Sequence, residues 1–341
     1  MIKISNARAL YTEKDKIWIA KGLRFFAVDF SGNKVGKTYK VGSFIFGIRL
    51  LRQLLRKGIH HLLPLKDGNI LVCLKKKVLI LDKEGKTVNT FSGFNGNKPG
   101  HRGICVTPNG YVFFGEYALN GDRSLTINLY RSTDNGKTFN VIKSFAPGEI
   151  RHIHFIEWDK YAGCIWLGTG DYGKDNSECR LYRSFDFGDN FELVGRGSQN
   201  WRSIALCPAP DKVYWGTDAG SCRDDNNFIS LNRDTKELTV LEKLTGPCHG
   251  MCVTEKGSIY ISTGVEGGEN ELDNKAKLYK YTGGKLVKIT EIKKDIFPLI
   301  VQYGVIRFPS GTENTDKVIY TTMGLKGCGE TVFIKEDEDY E

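Results

Sequence analysis

The sequence predicts an all-β fold, a seven-bladed β-propeller built from four-stranded antiparallel blades. Three observations predict it. A pair of short apolar strands recurs seven times along the 341 residues. The interval between recurrences has room for four strands and their turns. The composition, with 39 Gly, 9 Pro and 11% aromatic residues, suits short strands joined by tight turns.

Taken in order, the strand pairs are Arg8–Tyr11 with Ile17–Ile19, His60–Leu63 with Ile70–Val72, and Arg102–Cys105 with Tyr111–Phe114. Then come Ile150–Ile156 with Cys164–Thr169, Arg202–Ala205 with Val213–Trp215, His249–Cys252 with Ile259–Ile261, and Tyr303–Ile306 with Val318–Tyr320. From Arg8 through His60, Arg102, Arg151, Arg202 and His249 to Tyr303 the spacings are 52, 42, 49, 51, 47 and 54 residues. They lie close to the ~40–50-residue period of a propeller blade. Turn signals fall between the strands at Lys66-Asp67-Gly68, Glu84-Gly85, Pro108-Asn109-Gly110 and Thr282-Gly283-Gly284. The last unit, ending in Thr331-Val332-Phe333-Ile334, is one strand short, and Met1 to Ile4 precedes the first unit. The N-terminal strand is therefore expected to close the last blade, giving a single propeller domain over 1–341.

One segment breaks the pattern. Between the first and second blades, residues 43–57 place Leu51, Leu54 and Leu55 at helical spacing, with Arg49, Arg52 and Arg56 on the other face and Gly58 as a C-cap. This short helical insertion reads in three ways: a helix packed over a blade edge, a cationic wall beside the channel mouth, or a membrane-surface helix.

The net charge of +9 comes from scattered Lys and Arg, which favours anionic partners in general. No basic stripe with interleaved aromatics is present, so nucleic acid is not an expected partner. No apolar run reaches membrane-spanning length and the N-terminus carries no signal-like core. Cys73, Cys105, Cys164, Cys207 and Cys252 sit within apolar strands, where a reduced Cys is a small hydrophobe. These features suggest a cytoplasmic, reducing setting; Cys179 and Cys222 are the one pair placed for a disulfide. Oligomeric state is left open.

Propeller topology decides which residues meet. Inner strands start on the face where second strands end. That face should collect His60, Arg102, Arg151, Arg202, His249 and Tyr303 with Glu116, Tyr117, Asp171, Asp218 and Glu266. All six histidines, His60, His61, His101, His152, His154 and His249, lie at or beside an inner-strand start. His152 and His154 alternate onto one side of their strand. Arg102, Arg151 and Arg202 hold matching positions in three consecutive blades. They converge either on a ligand carboxylate, phosphate or sulfate, or on Glu116, Asp171 and Asp218 as ion pairs. No fixed-spacing metal motif is present and no cofactor is required, although histidines with carboxylates leave a divalent cation such as Ca²⁺ open. The carboxylates also leave room for a glycoside hydrolase pair.

Two octets carry a family resemblance. Ser132-Thr133-Asp134-Asn135-Gly136-Lys137-Thr138-Phe139 has the form S-x-D-x-G-x-T-F, and Ser184-Phe185-Asp186-Phe187-Gly188-Asp189-Asn190-Phe191 the form S-x-D-x-G-x-x-F. Each follows a Leu-Tyr-Arg strand, and they lie 52 residues apart. They resemble the Asp box (BNR repeat) of sialidase-like propellers, in which a buried Asp and a Gly turn join the third and fourth strands of a blade. Sialidases have six blades and an Arg-Ile-Pro motif near their start, whereas this chain has seven units and no such motif. In blade count and chemistry the chain is similar, more remotely, to seven-bladed polysaccharide lyases that cleave rhamnose–glucuronate linkages. That likeness implies β-elimination on a uronic-acid-containing glycan at the channel mouth. Arg102, Arg151 and Arg202 would neutralise the carboxylate, His152 or His154 would act as base, and Tyr117, His101 or Tyr303 would act as acid. His60, His249, Glu116, Asp171, Asp218 and Glu266 would contact substrate. A sialidase-like hydrolase and a non-catalytic propeller binding a glycan or protein are the alternative readings.

Overall fold

The computed structural model describes residues 1–42, 58–171, 173, 175–219, 226–268, 271 and 273–338. These residues form seven sheets, each of four antiparallel strands. The fold class is that of an all-β, seven-bladed propeller. Among the described residues, helix is limited to two 3-10 turns, Gln199–Trp201 and Thr312–Asn314. The expected helix at 43–57 lies outside the described residues, as does Cys222; Cys179 is buried. No helix among the described residues is long and apolar enough to cross a membrane.

The chain divides into two compact units. One comprises Met1–Ile59, Gly220–Asn226 and Leu244–Glu341. It contains the first blade (β2 Arg8–Thr12, β3 Ile17–Lys21, β4 Arg24–Val28, β5 Lys34–Lys40), the sixth (β22 Cys248–Val253, β23 Ile259–Thr263, β24 Lys275–Thr282, β25 Lys285–Lys293) and the seventh. The seventh blade pairs β26 (Val305–Arg307), β27 (Lys317–Leu325), β28 (Gly329–Glu336) and then β1 (Ile2–Ser5). Ile2 pairs with Ile334 and Ile4 with Val332, so the N-terminal strand completes the last blade. Ile2 and Ile4 pack on a cluster that includes Ile319, Val332 and Ile334. At the other terminus, Asp337 accepts hydrogen bonds from Lys280 Nζ at 2.8 Å and from Tyr260 and Thr254 hydroxyls at 2.6 Å each.

The other unit, His60–Ala219 with Asn227–Lys243, holds the second to fifth blades. These are β6–β9 (from His61–Pro64 to Thr87–Ser92), β10–β13 (from Ile104–Val106 to Asn140–Phe145), β14–β17 (Ile153–Asp159, Cys164–Thr169, Arg180–Ser184, Glu192–Arg196) and β18–β21 (from Leu206–Pro208 to Leu238–Lys243). Burial falls from inner to outer strands. Ile70–Leu74 and Cys164–Thr169 are wholly buried, whereas Thr87–Ser92 and Glu192–Arg196 are largely solvated. Apolar runs therefore become second strands, and polar alternation marks the fourth strands at the blade edges. Phe113, Ile153, Ile156, Ile165 and Leu167 form the core shared by the third and fourth blades.

The Ser–Asp turns at Asp134 and Asp186 are equivalent in detail. Ser132 Oγ donates to Asp134 Oδ1 at 2.7 Å, and that oxygen accepts Thr138 N at 2.9 Å. Ser184 and Asn190 repeat the pattern on Asp186 at 2.8 and 2.9 Å. Each Ser hydroxyl accepts a Gly N–H, from Gly136 at 2.8 Å and from Gly188 at 2.7 Å. Both turns put two residues in the left-handed region, Asn135 with Gly136 and Phe187 with Gly188, which favours the glycines. Burial differs from expectation: the Ser is the buried member, Asp134 is half-buried and Asp186 is exposed. The Asp acts by accepting backbone N–H groups at the surface, which does not require burial. Related turns at Asp29 and Asp82, where the Ser is missing, accept N–H bonds from residues two and four positions on.

Candidate functional site

The fourth blade supplies the centre of the site, and a bulge makes it. Ile153 pairs with Thr169 and Phe155 with Gly168, leaving His154 as the extra residue. Gly168 permits this, since a Cβ there would lie 2.0 Å from the Phe155 ring. The sixth blade repeats the device: Cys248 pairs with Thr263 and Gly250 with Ser262, leaving His249 as the bulged residue. Hence His249 is the structural equivalent of His154, and not of Arg151, with which the sequence spacing aligned it. Both blades carry the bulge, so it does not cause the three-residue offset; spacing counts residues along the chain, and the loops that lead into the two inner strands differ in length.

His152 immediately precedes β14, and both histidine side chains are buried. His152 Nδ1 lies 2.9 Å from the Ala118 carbonyl oxygen, and His154 Nδ1 lies 2.9 Å from that of Ser203. The two Nε2 atoms face each other at 2.9 Å. Asp171, just beyond β15, places Oδ2 at 3.7 Å from His152 Nε2. The same oxygen is 2.5 Å from Arg151 Nη1, while Oδ1 is 3.0 Å from Arg202 Nη2. Arg202 also reaches Asp218 at 3.1 Å. Two carboxylates and two guanidiniums thus surround the histidine pair. The Tyr117 ring, half-buried, stacks on His152 with centroids 3.8 Å apart.

The charges set the protonation states. Burial, then the neighbouring Arg202 guanidinium, hold His154 down at about 4. Burial and His154 push His152 well below the ordinary imidazole value. Burial alone would raise Asp171, but Arg202, the histidines and Arg151 outweigh it and hold the carboxyl below the usual range. The centre is therefore two neutral imidazoles beside a carboxylate. These three side chains offer ligand atoms within 4.8 Å of one another, the donor set among the described residues that could hold a metal ion.

The other expected site residues lie as follows. Arg102 is buried and precedes β10, and Arg202 directly follows the 3-10 turn Gln199–Trp201, ahead of β18, so neither opens a strand as expected. Glu116 is buried and accepts Asn95 N at 2.7 Å, Asn128 N at 2.8 Å and the Tyr130 hydroxyl at 3.1 Å. That sets it as a support of the third blade. His60 sits before β6, its N–H on the Cys73 carbonyl at 2.9 Å. His101 is half-buried in the loop before β10. In the other unit, His249 Nε2 lies 2.7 Å from Glu266 Oε1, and its ring centroid is 6.4 Å from that of the half-exposed Tyr303. The sequence reading missed the supports. Glu178 receives the Arg151 N–H at 2.8 Å and Arg123 Nε at 2.8 Å, and Cys179 donates to the Asp171 carbonyl at 3.2 Å. Their placement before β16, opposite Gly170-Asp171, was the available signal. The orienting carbonyls of Ala118 and Ser203 leave no side-chain signal.

No family model matches the chain, and no curated protein sequence matches it. Solved structures share its fold. A chain of the mitotic checkpoint complex superposes with TM-score 0.60 at 13% identity, over 99% of this chain and 89% of that one. The oligogalacturonate lyase of Vibrio parahaemolyticus gives TM-score 0.59 at 10% identity, over 98% and 91%. The GH74 enzyme of Niastella koreensis gives 0.60 at 15%, over 96% of this chain and 52% of that enzyme. At these identities the likeness is one of fold alone, and it includes carbohydrate-active propellers.

Proposed function

We propose that the chain is a carbohydrate-active propeller that takes an acidic glycan and cleaves it by β-elimination beside the fourth blade. The observation that carries this reading is Tyr117, half-buried and stacked on His152 at 3.8 Å, next to the Arg151–Asp171 pair. Arg151 keeps 30% of its side chain exposed, enough to share its fork with a uronate carboxylate. Neutralising that carboxylate acidifies the C5 proton. A base removes the proton, the C4–O bond breaks, a C4=C5 double bond forms and the leaving oxygen takes a proton. The two histidine Nε2 atoms point at each other rather than outward, so Tyr117 is the better-placed proton-transfer group. The lyase and GH74 enzymes of this fold are compatible with a glycan substrate. The Ser132–Asp134 and Ser184–Asp186 turns favour placing the chain among Asp-box, sialidase-like propellers. The burial of Cys73, Cys105, Cys164, Cys207 and Cys252 within the blades, where a reduced Cys acts as a small hydrophobe, favours a reducing, cytoplasmic setting.

Digestion of glucuronate- and galacturonate-containing polysaccharides tests this directly. The expected product is an unsaturated uronate absorbing near ~235 nm, lost in Tyr117→Phe. Reducing ends without that absorbance point to hydrolysis. A second reading, a non-catalytic binding propeller, is favoured by one observation: Arg151 and Arg202 already have Asp171 and Asp218 as partners. Binding without any cleavage would establish it.

A further inference from the structure

The hydrogen-bond arithmetic of the histidine pair does not close with protein groups. A backbone carbonyl only accepts, so Ala118 and Ser203 oblige both Nδ1 atoms to carry hydrogen. A neutral imidazole has one N–H, which leaves both Nε2 atoms as lone pairs. These face each other at 2.9 Å, and the nearby Asp171 carboxylate also only accepts. Flipping either tautomer merely moves the clash to a carbonyl. Two lone pairs facing each other in a buried site, beside a carboxylate that Arg151 and Arg202 already hold, require a proton or a cation between them.

We propose that His152, His154 and Asp171 form a binding site for a divalent transition-metal cation, with the two Nε2 atoms as its primary ligands. Imidazole with carboxylate suits Zn²⁺, Co²⁺ or Mn²⁺ rather than an all-oxygen Ca²⁺ site. The surroundings are those of metal-binding histidines, each of which donates its other N–H to a carbonyl or carboxylate that sets ring orientation. The 2.9 Å between the nitrogens spans the edge of a coordination sphere with bonds of about 2.0–2.1 Å. Asp171 Oδ2, 3.7 Å from His152 Nε2, completes the set directly or through a water. Because Asp171 and Asp218 balance Arg151 and Arg202, a bound cation leaves the site two charges positive. An anionic oxygen from a ligand would complement it. Cation binding does not depend on the glycan reading and is measured without glycan.

The test uses the full chain, freed of metal by a chelator and titrated calorimetrically with Zn²⁺, Mn²⁺ and Co²⁺ in turn. The expected result is one ion per chain for at least one of them, with affinity falling at least about a hundredfold in folded His154→Gln. A second readout needs no variant. In ¹⁵N-histidine spectra of the parent chain, two Nε2 resonances should move on saturation while both Nδ1 remain protonated. Three results overturn the proposal: no binding by the folded parent, binding that His154→Gln leaves intact, or Nε2 signals of a shared proton that no metal displaces. Metal binding without glycan cleavage would remove the glycan reading alone.

Discussion

Arg151 Nη1 lies 2.5 Å from Asp171 Oδ2, and the pair stands at the edge of the site, with the arginine 30% and the aspartate 9% exposed. Arg202 approaches the other oxygen of the same carboxylate from a more buried position, 7% exposed. One carboxylate thus serves two guanidiniums of different depth.

The two arginines should therefore separate by assay. Arg202→Met leaves Asp171 and Asp218 buried without their shared counter-charge, and the folded state should lose about 3–5 kcal/mol. Arg151→Lys keeps a charge at a more exposed pair, so its stability cost should stay below about 1 kcal/mol, while binding of acidic glycan weakens through loss of the planar fork. Thermal melting and glycan titration of both variants check this. Equal stability losses would show that depth is not what distinguishes them.

Gly168→Ala probes the bulge. The added Cβ would meet Phe155 ring atoms at 2.0 to 2.6 Å, so the ring must move and His154 must move with it. A destabilisation of about 1–3 kcal/mol is expected from overpacking, together with loss of Nε2–Nε2 proximity in histidine NMR spectra. An unchanged melting curve would show that the bulge tolerates a side chain there.

The Asp186 turn should be visible by titration. Hydrogen bonds from the Asn190 backbone, then from its side chain, hold the carboxyl at about 2. A depressed carboxyl contributes stability above its unfolded value of 3.8, and that contribution is lost as pH falls toward about 2. Asn190→Ala removes the side-chain bond alone, so the Asp186 pKa measured by carboxylate NMR should rise part-way toward 3.8. No upward movement would assign the depression to the Asn190 backbone and Ser184 hydroxyl bonds, without the Asn190 side chain.

Removing residues 1–5 deletes the strand that pairs Ile2 with Ile334 and Ile4 with Val332. Ile319, Val332 and Ile334 then lose packing partners, and β28 becomes an unprotected edge. The truncated chain should melt at a lower temperature and aggregate more readily. A melting curve matching the parent's would show that this strand adds little to the last blade.

By itself the sequence determined the blades and their closure. Apolar second strands, polar fourth strands and Asp–Gly turns express local preferences that act wherever the residues lie. The period of about 50 residues counts the units whatever their packing, and Ile2 and Ile4 announce a strand for the missing place. The two-residue spacing of His152 and His154 also marked them as a pair. Only the tertiary structure decided what that pair does. The bulge that turns His154 inward depends on Gly168 across the ladder. The proton positions depend on carbonyls 34 and 49 residues away in sequence. Whether Arg151 and Arg202 are spoken for depends on which carboxylates lie within about 3 Å, the reach of a charge-assisted hydrogen bond. Strand patterns are short-range and repeat along the chain, so sequence carries them. Lone-pair directions and charge partners are set by distant backbone meeting in space, and no spacing rule encodes them.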